Sequence, residues 1–273
     1  MNITIRTLTT ADIPLGLALC AQNRWNQLEA DWRRQLDLEP TGCFVAQRDG
    51  IPVGTACCCV FGDIAWINLV LVEKTERGHG IGSALMRHVI RHLDEHGVAS
   101  IRLDATPLGQ PIYEKLGFTG DFGLTRYAGV MSRVAELARV PTPINAAAIS
   151  ELDAGITQTN REKLLRHLLT ALPDHARHVN GEGFCLARPG ANAWHIGPVS
   201  GSPSAATELL RDAALRYAGQ SVYLDVPTDH AAAVALVTSL GLTPQRPFLR
   251  MTRGRRVHED LTRTWCTFGP EKG

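Results

Sequence analysis

The chain has 273 residues, with 28 basic and 27 acidic side chains, so its formal net charge is +1. This balance gives no long-range field that would favour nucleic acid or an anionic membrane surface. No apolar stretch approaches the ~20 residues of a membrane-spanning helix, and the beginning of the chain predicts a strand rather than the apolar segment of a signal peptide. We therefore predict a cytoplasmic protein of two domains, without nucleic-acid or membrane partners.

The first half of the chain predicts strands and helices in the order β-α-α-β-β-β-α-β-α-β. Strands are assigned from alternation and short apolar runs, and helices from apolar spacings of three and four. In chain order they are strand 3–8, helix 10–21, helix 25–38, strands 43–47, 53–60 and 64–72, helix 81–95, strand 98–105, a helix from 107 and one or more strands in 124–134. Arg48-Asp49-Gly50 is a hairpin signal between two of the strands.

Three glycines on alternate positions lie between the strand at 64–72 and the helix at 81–95. They are Gly78, Gly80 and Gly82, and Arg77 precedes them. The first turn of a helix has unpaired N–H groups and a partial positive charge, and glycines let a phosphate approach the backbone. Arg77 adds a cation that can bind phosphate oxygens in bidentate fashion. The stretch predicts a phosphate site, although the motif alone leaves open a glycine turn without a ligand.

Two common phosphate motifs do not fit this stretch. A P-loop requires a lysine before the closing serine or threonine, whereas Gly82 precedes Ser83. A dinucleotide fingerprint requires its third glycine one residue later, and here the first strand lies far upstream. The pattern Arg77-x-x-Gly80-x-Gly82 instead resembles the (R/Q)-x-x-G-x-(G/A) signature of the GNAT acyltransferase superfamily.

A second motif strengthens the resemblance. The segment 112–118, Ile-Tyr-Glu-Lys-Leu-Gly-Phe, is similar to the YekLGF segment that follows the glycine motif in that superfamily. The resemblance covers residues 1 to about 133. It implies an α/β (α+β) fold in which helices flank a mixed, mostly antiparallel central sheet.

The element pattern starts again after a proline-rich linker at Pro141-Thr142-Pro143. The predicted elements are helices 160–172, 204–218 and 229–240 and strands 184–187, 194–199, 222–226 and 248–252. Leu224-Asp225-Val226-Pro227 parallels Leu103-Asp104-Ala105-Thr106-Pro107, and the segment 239–242 parallels 115–118, which indicates an internal repeat. We predict a tandem GNAT protein with a catalytic domain at 1–135, a linker at 136–146, a degenerate copy at 147–256 and a tail at 257–273.

The second copy lacks the residues that would bind a ligand. The segment Ser200-Gly201-Ser202-Pro203-Ser204 stands where the glycine motif would lie, and Val237 replaces Tyr113. We predict that this copy does not bind CoA productively. Its candidate roles are to form one wall of the active site, to bind the substrate or to form a homodimer.

The resemblance implies an acyl-CoA-dependent N-acyltransferase, with acetyl-CoA as the co-substrate and no metal. Acetyl would pass to a primary amine by direct attack in a ternary complex. Pantetheine would pair with the exposed backbone of the strand before the glycine turn, and the pyrophosphate would bind at the turn. The expected CoA-binding residues are Leu71, Val72, Arg77, Gly78, His79, Gly80, Ile81, Gly82 and Ser83.

The predicted catalytic residues are Tyr113 and Asp104. A phenol near the sulfur can protonate the departing thiolate, so Tyr113 is the expected general acid, with aromatic packing as the alternative. Asp104 ends a strand beside the cleft and is the expected base, with helix capping as the alternative. The resemblance implies no fixed base residue, since members of the superfamily often pass the proton through water to a carboxylate on the central strands.

The acceptor is expected near Trp25, Asn26, Asp31 and Asn68. The first three lie where the resemblance places the helices that cover the substrate, although two core tryptophans with solvated neighbours would give the same pattern. Asn68 interrupts an apolar strand, so it either orients the substrate or marks a local bulge. The sequence does not distinguish among a small amine, an amino acid, an antibiotic and a protein amine.

The cysteines and the histidines of one helix are expected to have structural rather than metal-binding roles. The chain has seven cysteines, and Cys57, Cys58 and Cys59 alternate between the two faces of one strand, so we expect small core residues in a reducing compartment. His88, His92 and His96 recur at intervals of four residues and could hold a metal. They flank the apolar stripe of the helix, which favours a solvent-exposed side of that helix instead.

Two other functions are compatible with parts of the pattern. One is a non-catalytic, CoA-responsive binding module that uses the second copy as an interaction surface. The other is a nicotinamide-dependent oxidoreductase, against which the glycine spacing argues.

Overall fold

The computed structural model describes residues 2–134, 142, 146–179 and 181–273. The strands are β1 Ile3–Thr7, β2 Cys43–Arg48, β3 Ile51–Phe61, β4 Ile64–Val72, β5 Ser100–Ala105, β6 Thr119–Val130, β7 Ala176–Val179, β8 Gly183–Arg188, β9 Trp194–Gly201, β10 Ser221–Pro227, β11 Thr243–Gly254 and β12 Thr264–Cys266. The helices are α1 Ile13–Gln22, α2 Glu29–Leu38, α3 Ile81–Glu95, α4 Gln110–Glu114, α5 Ala146–Thr157, α6 Glu162–Ala171, α7 Pro203–Arg216 and α8 Ala231–Ser239.

One sheet runs through the whole molecule. Its strand order is β1-β2-β3-β4-β5-β11-β6-β10-β9-β8-β7, with β12 on β9. The β4–β5 and β9–β10 pairs are parallel, and the other pairs are antiparallel. The predicted fold class, a mostly antiparallel sheet flanked by helices, is confirmed.

The two halves of the chain exchange strands. β11 comes from the second half but lies between β5 and β6 of the first half. Reciprocally, β6 lies beside β10 of the second half. The predicted domain boundaries stay predictions, and most of the predicted linker falls outside the described residues.

The two halves contribute equivalent strands to the centre of the sheet, in the order β4-β5-β11-β6-β10-β9. Along the β6–β11 pair, Leu124 lies opposite Phe248, and Arg126 lies opposite Arg246. The exchanged strands carry the same ion pair twice. Arg250 lies opposite Asp104 and Arg126 lies opposite Asp225, so each arginine reaches an aspartate of the other half.

Helix α3 packs against one face of the first half of the sheet. Its buried stripe is the predicted one, with Ile81, Leu85, Val89 and Leu93 at most 1 % exposed. The opposite face is covered by helices of both halves, α1 and α2 near β3 and α5 and α6 near Trp66. Both faces of β4 are therefore covered by helices.

Several predicted element boundaries were wrong. Helix α2 begins at Glu29 rather than at 25, because the Asp31 carboxylate accepts a hydrogen bond from Leu28 N–H at 2.8 Å and caps the helix there. Helix α4 begins at Gln110, since the residues after Pro107 form a turn in which Gly109 N–H bonds to Thr106 O at 2.9 Å. α5, β7 and β12 were not predicted, because short strands and an alanine-rich start carry little periodicity.

All seven cysteines are buried and free, as predicted. In the described residues, no helix is long and apolar enough to cross a membrane.

Candidate active site

The parallel pair β4–β5 opens into a wedge. Its register ends at Trp66, which lies opposite Arg102, although β4 continues to Val72 and β5 to Ala105. Beyond Trp66, the backbone groups of β4 that face β5 have no strand partner among the described residues. They can pair with an extended ligand in the manner of an added strand.

A bulge in β4 widens the wedge. Leu69 has a φ of 50°, which is unusual for a residue with a branched side chain, and the register with β3 shifts between Thr55 and Cys57. The hydroxyl of Thr55 donates to Leu69 O at 2.8 Å and stabilises the bulge. Leu71 and Val72, both predicted to contact pantetheine, follow it on the part of β4 that pairs with β3 but not with β5.

The glycine turn lies at the open end of the wedge. Gly78 and Gly80 have φ values of 82° and 78°, a conformation that favours glycine, and a Cβ at either position would meet only open space. Ala84 N–H makes the first helical hydrogen bond, to Gly80 O at 2.9 Å. The N–H groups of 81–83 precede that bond at the helix start and can therefore receive an anion.

Arg77 is exposed and connects the turn to neighbouring elements. Its Nη2 donates to Asn23 Oδ1 at 2.7 Å, and its Nε donates to Val72 O at 3.3 Å. The guanidinium therefore lies at the mouth of the wedge and still has N–H groups for a ligand. His79 is exposed as well, and its Nδ1 lies 3.2 Å from Glu76 O.

Tyr113 lies on α4 and is half-buried against the α3 core. The backbone of Gly109 lies so close that a Cβ there would come within 2.8 Å of the ring and 3.2 Å of the hydroxyl. Burial raises the pKa of Tyr113 to about 12. The phenol is therefore protonated at neutral pH, as a general acid requires.

The face of β4 opposite α3 carries Trp66 and Asn68. Trp66 is 2 % exposed and packs with Phe184 and Phe268 from the second half of the chain. Asn68 is 4 % exposed, and neither its Oδ1 nor its Nδ2 has a hydrogen-bond partner among the described residues. A buried polar group without a partner is uncommon and needs an explanation.

The other predicted acceptor residues join the two halves of the molecule. Asn26 Oδ1 accepts from the N–H groups of Asn192 and Ala193 at 2.9 and 3.1 Å, and Trp25 O accepts from Asn192 Nδ2 at 2.9 Å. Asp31 caps α2 and pairs with Arg34. The polar groups of these three residues that form the contacts above already have protein partners, whereas the Asn68 amide has none among the described residues.

Asp104 is paired within a buried network. Both its carboxylate oxygens accept from Arg250, at 2.8 and 3.0 Å, and it caps no helix. Glu259 binds both Arg250 and Arg102, and the two guanidinium groups stack on the ring of Trp66. Although burial opposes the shift, Arg250 and Arg102 hold the pKa of Glu259 below its usual range. No motif signalled Arg250 or Glu259 in the sequence.

The end of the chain enters the cleft next to β4. Glu271 and Lys272 line a small cavity together with Leu69 of the bulge. Arg188 pairs with Glu271 at 3.0 Å, and the Lys272 ammonium donates to Gln35 Oε1. The predicted tail is therefore part of the packed structure beside the wedge.

The second copy has a wedge of the same kind, but it is filled by the chain. β9 and β10 pair only at Trp194–Val222 and His195–Tyr223. Beyond that point β12 pairs with β9, and Thr267 N–H donates to Asp225 O of β10 at 2.8 Å. The segment 264–267 thus bonds to both strands where a ligand would have to enter.

Comparisons with known proteins agree with this architecture. Residues 16–118 match the acetyltransferase (GNAT) family, and residues 149–265 match an acetyltransferase (GNAT) domain. A crystal structure of a candidate acetyltransferase from Pyrococcus horikoshii superposes with a TM-score of 0.88 at 23% identity, covering 99% of this chain and 96% of that one, which shows a shared fold.

Two sequence relatives are named as acetyltransferases. The uncharacterized N-acetyltransferase YitH of Bacillus subtilis is 26% identical over 183 residues, which cover 63% of this chain and 64% of the relative. A mycothiol acetyltransferase of Thermobispora bispora is 34% identical over 110 residues, which cover 36% of this chain and 37% of the relative. The matches thus span less than two-thirds of either relative. Together with the two family matches, they show that the chain belongs to the GNAT family of acetyltransferases and carries two copies of its domain in tandem.

Proposed function

We propose that the first copy is an acyl-CoA-dependent N-acyltransferase that transfers acetyl from acetyl-CoA to a primary amine. The proposal is supported by two features that lie one after the other along the chain. The unpaired edge of β4 leads directly to the open glycine turn and the first turn of α3. An extended arm ending in a pyrophosphate matches this path, because the strand edge pairs with the arm and the helix start binds the anion.

The proposed reaction takes place at the wedge. The neutral amine attacks the thioester carbonyl carbon at the open edge of β4, and a tetrahedral oxyanion forms. The carbon–sulfur bond then breaks, the amine nitrogen loses a proton, and the thiolate receives one. We propose that the Tyr113 phenol donates the proton to sulfur, since it is protonated and lies on the helix beside the wedge.

The base that takes the amine proton is a separate question. The role predicted for Asp104 is untested, and its two hydrogen bonds from Arg250 favour a structural role. Burial raises the pKa of Asp104 and the Arg250 guanidinium opposes the rise, so a base role depends on whether the amine can reach a carboxylate that the guanidinium already contacts. A base role requires that Asp104→Asn lose turnover even when the variant is fully folded.

Release of free thiol from acetyl-CoA tests the proposed function directly. We expect release that depends on an added amine, measured with a panel of amino acids, polyamines and lysine-containing peptides, and an acetylated product by mass spectrometry. The names of the two relatives support acetyl as the group transferred. CoA binding without thiol release from any amine would support a binding module instead.

Arg77→Ala should weaken CoA binding about 10- to 100-fold. A charge-assisted hydrogen bond contributes about 1.5–3 kcal/mol, and each 1.4 kcal/mol is tenfold in affinity. Calorimetric titration measures the effect, and pantetheine, which lacks the pyrophosphate, is the matched control ligand. An equal loss for both ligands would place the contact of Arg77 elsewhere.

The filled wedge of the second copy predicts the stoichiometry of binding. Because β12 and Thr267 bond to both β9 and β10, we expect one CoA per chain at saturation. The same titration gives this number when the protein concentration is set by absorbance. Two equivalent sites would contradict the proposal that only the first copy binds.

A further inference from the structure

The side chain of Asn68 has no structural task among the described residues. It lies on β4 two residues after Trp66, the last residue that pairs with β5, and next to the bulge at Leu69. Its amide is buried, yet neither polar atom has a partner in the part of the chain that the structure describes. Such a group costs folding free energy, which an apolar side chain of the same volume would not.

The position of Asn68 relates this cost to the reaction. Side chains alternate along a strand, and Ile67 packs into the α3 core. Asn68 therefore shares the face of Trp66, opposite α3. It is also at the point where β4 leaves β5, so a thioester that follows the unpaired edge passes it.

We propose that the Asn68 amide is a catalytic group that contacts both reactants, an inference that rests on the proposed acyltransferase function. Nδ2 donates to the thioester carbonyl oxygen, where negative charge develops, and Oδ1 accepts from the N–H of the attacking amine. The amide gains and loses no proton in the cycle. Its two unpartnered atoms match the two groups that must be aligned, one acceptor and one donor.

The strongest test combines activity with stability. Asn68→Leu should lower kcat about 100-fold, because loss of one oxyanion donor typically costs 10²–10³ in kcat. The same variant should unfold at a higher temperature than the wild type when no ligand is present, because the unpartnered amide is gone. The Kd for CoA, measured by calorimetry, should change less than threefold.

Acetyl-CoA hydrolysis without amine separates the two contacts. A donor to the carbonyl oxygen assists attack by water as well as by an amine, so Asn68→Leu should slow hydrolysis too. Asn68→Asp retains acceptor oxygens but no donor at neutral pH. It should lose kcat like Asn68→Leu while unfolding at a lower temperature than the wild type, because it buries a carboxylate.

Ser100→Ala is the matched control. Ser100 is 0 % exposed, its hydroxyl also has no partner among the described residues, and it lies at the closed end of the β4–β5 pair. Its removal should not lower stability, and it should leave kcat unchanged. A stability gain accompanied by lost turnover would then be specific to Asn68.

Two results would overturn the assignment. One is Asn68→Leu with kcat within threefold of the wild type. The other is a lower unfolding temperature for Asn68→Leu, which would mean that the amide binds a structural water. Failure of the proposed function looks different, because the wild-type protein itself would then release no thiol with any amine in the panel.

Discussion

Replacing Tyr113 with phenylalanine is expected to lower kcat about 100-fold with little change in the Kd for CoA. General acid catalysis contributes roughly 10²–10⁴-fold, and the substitution removes only the hydroxyl. The ring remains to fill the space beside Gly109 and the α3 core. Steady-state thiol release with the best amine of the panel measures the effect.

The pH profile gives a second readout for Tyr113. Because its folded-state pKa is raised to about 12, the phenol stays protonated and the acid is lost only as the pH rises through about 12. The wild-type rate should therefore show no decline from tyrosine ionisation between pH 7 and 10. Tyr223→Phe is a suitable control, since the ring that stacks under Arg126 is preserved. Full turnover by Tyr113→Phe would make this residue a packing aromatic.

Asp225→Ala should lower the free energy of unfolding by about 3–5 kcal/mol. The change leaves Arg126 buried without its bidentate partner, whose hydrogen bonds measure 2.7 and 2.8 Å. Removal of one member of a buried ion pair is costly, because the remaining charge has no solvent. Asp104→Ala should cost less, since Arg250 keeps two contacts with Glu259 at 2.9 and 3.1 Å.

Denaturant unfolding of these variants measures both effects. Asp94→Ala is the matched control, because Asp94 also pairs with an arginine of β11, but its side chain is 46% exposed. An exposed pair contributes at most about 1 kcal/mol. If Asp225→Ala were no more destabilising than Asp94→Ala, the buried pairs between the exchanged strands would not stabilise the protein.

Local patterns in the sequence were sufficient for the strand at 64–72, the glycine turn and the helix that follows, whereas the opening of the strand was expected from the resemblance to the family. Strand residues with branched side chains, glycines that need a positive φ, and the start of an amphipathic helix are all encoded within about 20 residues of one another. This is why these three elements could be predicted, while the CoA contacts from Leu71 to Ser83 stay a prediction. The second motif, at 112–118, placed Tyr113 in the same way.

Contacts between distant residues could not be predicted. Asp104 meets Arg250, which is 146 positions away, and Asn26 meets Ala193, which is 167 positions away. A carboxylate at a strand end has the same local pattern whether it is free for catalysis or held by a guanidinium. The exchange of β6 and β11 brings Arg250 beside Asp104, so the carboxylate is held by a guanidinium. The sequence of a strand does not reveal which strands lie next to it, so this contact could not be predicted.

Because β6 and β11 are exchanged, the sheet of the first copy is incomplete without the second copy. A polypeptide cut between the copies would leave the edges of β5 and β6 without β11, and exposed edges promote aggregation. The covalent connection supplies β11 at a fixed effective concentration, so assembly does not depend on dilution as it would for two separate chains. The second copy can therefore lack its phosphate cradle and still be indispensable, since the first active site is folded around a strand that it donates.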